Sequence, residues 1–222
     1  MRIYLRTILL CAFILGLSGC ATTQIAKKDY SALRTEKPRS ILVVPAINRS
    51  VDVDAPDYFL STITRPIAER GYYVFPVHLV KRVMEDDGLN DADMVHAGDP
   101  QKLGKMFGTD SVMYITIERW DARYIVLSTT VTVELSYVLK STSTGETLWE
   151  NKQKLVYQPQ NNNQGSGIAG LIAQAISAAI TKAAPNYVPL AQQANAQAVY
   201  IKGQGLPAGP YDDMYQKDQT DF

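Results

Sequence analysis

The chain has 222 residues with 22 basic and 22 acidic side chains, two histidines and two cysteines. That balance speaks against a basic face for nucleic acid or for an anionic surface. The length is enough for one domain to bury a core of its own.

Residues 1–19 carry Arg2 and Arg6, then an apolar run from Ile8 to Leu17 and small residues before Cys20. A basic start, about ten apolar residues and a small-residue exit describe a secretory signal peptide. The run falls short of the roughly 20 residues that span a bilayer. Leu17-Ser18-Gly19-Cys20 resembles the lipobox of bacterial lipoproteins. The resemblance implies cleavage between Gly19 and Cys20, with diacylglycerol on the thiol and palmitate completing the anchor. Ala21 stands where an Asp would resemble an inner-membrane retention signal, which points to the outer membrane. Removing the segment takes two arginines and no acid, so 20 basic residues face 22 acidic ones, a formal −2. Cys11 leaves with it. The mature chain then has no thiol for a disulfide, metal or catalysis, and no cofactor is expected beyond covalent lipid on Cys20.

Residues 20–38 are polar and read as a tether, with the alternative that Tyr30 and Leu33 pack on the domain. Ser40 to Ala46 is a short apolar run typical of a buried strand. A polar loop, Asn48 to Asp54, leads to Pro56 at a helix start, and Leu60, Ile63 and Ile67 share one helical face. Pro66 is expected to kink or divide that helix. Gly71 ends it, and Tyr72 to Val77 reads as a second strand, parallel to the first. A second helix runs from about Val77 to Asp87 with Leu79, Val80, Val83 and Met84 on one face. Asp99, Pro100 and Gly108 bracket a third, which buries Leu103, Met106 and Phe107.

Ser111 to Trp120 reads as a strand, followed by a turn at Asp121–Arg123. From Ile125 to Leu139 the pattern alternates, with Val131, Val133, Leu135, Tyr137 and Leu139 on one face and Thr132, Glu134 and Ser136 on the other. A turn at Ser141–Gly145 leads to a return strand, Thr147 to Tyr157, which completes an antiparallel meander. Gln158 to Gly167 reads as a loop. Residues 168–183 form a helix that is apolar on most of its circumference. Ile168, Leu171, Ile172, Ala175, Ile176, Ala179 and Ile180 are candidate interface residues, facing either the chain's own sheet or another subunit. Residues 201–222 read as a flexible tail unless something holds them.

Catalytic constellations are weak. Gly165-Ser-Gly-Ile-Ala-Gly170 fits a dinucleotide pattern, but seven polar residues precede it and no acid follows before Asp212. Asp86, Asp87, Asp91, Asp93 and His96 lack calcium-loop spacing and read as a solvated acidic stretch. His78 and His96 have no nucleophile at motif spacing. The expectation is a chain that is not an enzyme and holds no metal.

Four segments carry a family resemblance: Pro38-Arg-Ser-Ile-Leu-Val-Val-Pro, Asn48 to Pro56, Thr64-Arg-Pro to Phe-Pro-Val77, and Leu148-Trp-Glu150. They resemble the outer-membrane lipoproteins typified by a meningococcal genome-derived antigen. The likeness spans most of 38–157 and extends weakly to Gly209-Pro-Tyr. More distantly, Leu103 to Ile117 is similar to the α/β domains of curli-type secretion lipoproteins and the TolB amino-terminal domain. These resemblances imply an α/β sandwich, outer-membrane anchorage and partnership with a curli-transport-type lipoprotein, and they carry no catalytic residues.

The expected fold is α/β (α+β), a mixed sheet of about five strands with helices packed on it and one domain over 39–200. The expected function is that of a non-enzymatic lipid-anchored partner on the periplasmic face of the outer membrane, a candidate homo-oligomer without affinity for nucleic acid. The alternative is a binding module for an envelope ligand, peptidoglycan or lipid.

Overall fold

A computed structural model describes residues 28–125, 128–157, 176 and 186–222, and no side chain of 122–129. The signal peptide, Gly19, Cys20, the Gly165–Gly170 motif and the expected helix at 168–183 lie outside the described residues, except for Ile176. So do the side chains of Ile125 and Leu127.

The elements are α1 (Ser31–Glu36), β1 (Ser40–Val43), β2 (Ile47–Asn48), α2 (Ala55–Glu69), β3 (Tyr73–Val74) and α3 (Val77–Asp86). They continue with α4 (Ala92–Ala97), α5 (Pro100–Phe107), β4 (Ser111–Ile125), β5 (Ser128–Ser141), β6 (Thr147–Tyr157) and α6 (Val188–Tyr200). The strands form one mixed sheet in the order β3-β1-β4-β5-β6, with β2 beside β4. β1 runs parallel to both β3 and β4, so β1–α2–β3 is the expected strand–helix–strand unit. β4, β5 and β6 are the expected antiparallel meander.

Period-2 alternation divides the core between the two faces of the sheet. Ile41, Val43, Met113, Ile115 and the inward residues of β5 pack with α1, α2 and α6 in the larger cluster. Leu42, Val44, Val112 and Tyr114 point the other way, onto Val80, Met84, Val95 and Leu103 of α3, α4 and α5. Those helices do not cover the outer side of the meander equally, and there Glu134 takes Lys154 at 2.8 Å and Arg119 at 3.7 Å. The alternation read in the sequence therefore separates a dry face from a wet one.

Several expectations need correction. Pro66 does not divide α2, which runs unbroken from Ala55 to Glu69 with Pro66 buried inside it. Phe59, Leu60, Ile63 and Ile67 on both sides of the proline share one core. Burying each is worth about 1.5–3 kcal/mol, which together outweighs the roughly 3 kcal/mol that an interior proline costs. β4 also does not turn at Asp121–Arg123. It continues to Ile125, with Arg123 opposite Thr130 and Ile125 opposite Ser128. The register shifts between Ile117 and Arg119. This bulge lets Ile117 and Trp120 both face inward and puts Asp121 outward, where it pairs with Arg119 at 2.9 Å. Polar residues after Trp120 mark a change of phase rather than a strand end.

On α3, Val80 and Met84 are buried while Leu79 and Val83 face solvent. Met106 of α5 is likewise exposed. The short α4, capped by Asp91 accepting from Asp93 N–H at 2.8 Å, was not expected from the sequence. Nor was α6.

Both ends of the described chain depart from the expectation of flexible segments. Residues 30–36 form and bury part of α1, with Tyr30 and Leu33 in the core. In the tail, Leu206, Ala208 and Phe222 are buried. The tail is held because Arg70 reaches Asp218 at 2.8 Å and the Leu206 carbonyl at 2.7 Å. The two ends of the chain hold each other, a long-range pairing that no local pattern announces.

Candidate functional site: the anchor clasp and the outer face of α6

Cys20 and Gly19 lie outside the described residues, and the geometry that bears on an anchor begins at Lys28. Its backbone N–H donates to the Gly203 carbonyl at 3.2 Å. Its ammonium donates to the Glu150 carbonyl, lies 3.2 Å from Asn151 Oδ1 and sits 5.7 Å from the Trp149 ring centre. Burial lowers the pKa of this ammonium, and the Glu150 charge acts against that shift. Two residues on, the Tyr30 hydroxyl donates to the Gly205 carbonyl at 2.8 Å, and its ring meets Phe222 edge-on at 5.9 Å. Burial raises the Tyr30 phenol far above its usual range, so it stays a neutral donor. Arg34 donates to the Phe222 carbonyl oxygen at 2.7 Å. Lys28, Tyr30 and Arg34 thus fasten the segment before β1 to the turn after α6 and to the end of the tail.

The same turn that receives Lys28 follows the end of α6. This helix is fixed on its inner side by apolar contacts of Leu190, Ala191, Ala194, Ala198 and Val199. A buried polar network fixes it further: Asn195 accepts from Tyr137 at 2.9 Å and donates to Thr62 at 2.8 Å. Asn151 donates to the Ala198 carbonyl at 2.8 Å, and Gln197 meets Gln153 at 2.9 Å. The Tyr200 hydroxyl donates to Glu69, and burial followed by that contact raises its pKa well above the usual phenol range. These bonds run along the inner side of α6 and, through Gln197 and Tyr200, along the edge of its outer face.

The outer side faces a cleft of about 620 Å³, lined by Ile176, Pro189, Ala196, Tyr200 and Ile201 with a rim of glutamines at 192, 193 and 197. None of these described lining residues carries a charge. An apolar concavity of this size falls within the range used to bind other molecules. Of the seven interface candidates read from residues 168–183, Ile176 alone is described, and it is buried at this cleft. Ile168, Leu171, Ile172, Ala175, Ala179 and Ile180 lie outside the described residues. No helix among the described residues is long and apolar enough to cross a membrane.

The contribution of α6 was missed in the sequence although its signal was present. Pro189 opens the segment, and Leu190, Ala191, Ala194, Ala198 and Val199 recur at helical spacing. The small alanines and the uncharged glutamines blur the contrast that usually marks an amphipathic helix.

His96, Asp93, Asp91 and Asp86 have structural assignments. His96 donates from Nε2 to the Pro45 carbonyl at 3.0 Å and meets Tyr114 edge-on at 5.1 Å. Asp93 pairs with Arg49 at 2.5 Å, Asp91 caps α4, and Asp86 pairs with Arg82 at 3.1 Å. Among the described residues, no three acids, histidines or cysteines gather as a metal-binding group.

The family model for GNA1162-like lipoproteins matches residues 28–211. The lipoprotein NMB1124/NMB1162 of Neisseria meningitidis serogroup B is 35% identical over 165 residues, which is 74% of this chain and 76% of that protein. The crystal structure of lipoprotein GNA1162 from Neisseria meningitidis superposes with a TM-score of 0.54 at 35% identity, covering 64% of this chain and 96% of that one. A PelC dodecamer from Paraburkholderia phytofirmans is 12% identical with a TM-score of 0.43, covering 78% of this chain and 91% of that chain. The match over 28–211 takes in α1, the whole sheet, α6 and much of the tail, so this chain belongs to the GNA1162-like lipoprotein family.

Proposed function

We propose that the protein is a non-enzymatic structural or assembly partner, held to the outer membrane by diacylglycerol and palmitate on Cys20, with its domain in the periplasm. It presents the outer face of α6 to another envelope lipoprotein, of curli-transport type. The observation that carries this reading is the cleft along α6, whose described lining is uncharged, beside a helix fixed to the domain by a buried polar network on its inner side. Because Lys28 is held to the domain, only residues 20–27 separate it from a lipid on Cys20. That is a reach of about 28 Å at most, which keeps the domain near other anchored proteins.

A photo-crosslinking amino acid placed at Gln193 in intact cells tests the docking surface. The expected result is a discrete adduct with an envelope lipoprotein, absent when the probe sits at Lys105 on the opposite layer. Adducts of equal yield from both positions would refute the docking face. Cys20→Ala tests the anchor separately: the protein should lose its fatty-acid label and leave the outer-membrane fraction.

A further inference from the structure

Among the described residues, two that are not glycine have left-handed backbone, Lys37 at φ 50° and Gln216 at φ 61°. They belong to opposite ends of the chain, yet both line one pocket of about 250 Å³ between α1 and the tail. Strained backbone of this kind persists only where its surroundings impose it, and it gathers at ligand sites. A glycine or asparagine would close α1 at position 37 without strain. Lysine there places an ammonium on the pocket rim instead.

The pocket has a definite chemistry. Its floor is the buried Leu33, Pro38, Pro207 and Ala208. Tyr72 forms one wall, with its hydroxyl donating to the Pro207 carbonyl at 3.2 Å. The one carboxylate among the described lining residues, Asp218, is already neutralised by Arg70 at 2.8 Å and accepts from Ala208 N–H at 2.7 Å. The lining therefore presents two cationic side chains, Lys37 and Arg34, of which Arg34 already holds the Phe222 backbone oxygen. Arg34 uses Nη2 on Phe222, and the guanidinium has further N–H donors. Gln216 and Gln219 add exposed amides, and the half-buried Tyr215 adds a second aromatic side chain.

We propose that this pocket binds a carboxylate-bearing sugar. The acid meets Lys37 and Arg34, the amides of Gln216 and Gln219 meet the ring hydroxyls, and the apolar ring face lies against tyrosine and proline. The volume suits one ring at the small end of ligand sites. A bound ligand bridges α1 and the tail, so it also closes the clasp that shortens the tether. This inference rests on the envelope placement of the family and is independent of the α6 docking face.

Isothermal titration of the full mature chain with three probes tests it. N-acetylmuramic acid carries ring and acid, N-acetylglucosamine the ring alone, and D-lactate the acid alone. The expected result is saturable heat from N-acetylmuramic acid only. Lys37→Asn keeps a residue tolerant of left-handed backbone while removing the charge, and it should abolish that heat without lowering the melting temperature. Gln219→Ala, on the exposed rim, should weaken binding and serves if the first variant folds poorly. No heat from N-acetylmuramic acid would overturn the proposal. Equal binding of N-acetylglucosamine would remove the role of the cations, equal binding of D-lactate would reduce the pocket to a simple anion site, and binding unchanged in both variants would place the ligand elsewhere; each of these overturns it.

Discussion

Tyr137 in β5 donates its phenolic hydrogen to the side-chain oxygen of Asn195 in α6 at 2.9 Å, across 58 residues of sequence. Both side chains are buried. The amide nitrogen of Asn195 continues the chain to Thr62 at 2.8 Å and to the Phe59 carbonyl at 3.4 Å, so one residue joins the sheet, α2 and α6. A satisfied buried network of this kind fixes a single arrangement of the elements it joins, and a broken one is costly.

Asn195→Ala should therefore destabilise the fold by about 1–3 kcal/mol, because Tyr137 and Thr62 lose a partner in a dry site. Tyr137→Phe removes donor and need together at that end and should cost less. The double variant should cost less than the sum of the two single ones. Chemical denaturation of the four proteins checks this, and strict additivity would show that the network is not coupled.

The tail depends on one partly buried ion pair. Arg70 and Asp218 are 2.8 Å apart with side chains 17% and 9% exposed, and Asp218 also accepts from Ala208 N–H. Asp218→Ala should raise hydrogen exchange across residues 206–222 and lower stability by about 1–3 kcal/mol. Exchange should also rise at Lys28 and Tyr30, whose partners Gly203 and Gly205 adjoin the released segment. If exchange rises in the tail alone, the two ends of the chain are held independently.

Gly71 closes α2 with φ at 73°, and a Cβ there would lie 2.3 Å from the Asp212 nitrogen. Its carbonyl accepts from Tyr211 N–H at 3.0 Å. Gly71→Ala combines a disfavoured backbone with a clash against the tail and should cost at least about 2 kcal/mol. A melting temperature equal to that of the parent would show that the tail moves aside freely.

Burial, ahead of every other influence, holds the His96 imidazole below its usual pKa, against the opposing pull of its hydrogen bond with the Pro45 carbonyl. Asp93 also raises it, while Arg49 and Lys140 lower it. As pH falls through about 6.5, the unfolded chain takes up a proton before the folded one does, so stability declines with falling pH. The decline should level off below the folded-state pKa. His96→Gln should flatten this part of a melting-temperature profile recorded between about pH 7.5 and 5.5. Parallel profiles for parent and variant would assign the slope to other groups.

The sequence alone determined the parallel β1–α2–β3 unit, the antiparallel meander and the wet and dry faces of β5. Each is encoded in consecutive residues, as a hydrophobic run, a cap, or an alternation with the period of its element. Tertiary structure decided the rest, wherever distant packing outweighed a local preference. Pro66 stays inside α2 because both flanking turns share one core, and β4 runs past Trp120 because a bulge at Glu118 resets its phase. The tail and the segment around Tyr30 lack enough apolar residues to order themselves, yet each supplies the other with partners, Gly203 to Lys28 and Phe222 to Arg34. The pocket that joins Lys37 to Gln216 exists only once that clasp has formed, since its two walls come from opposite ends of the chain.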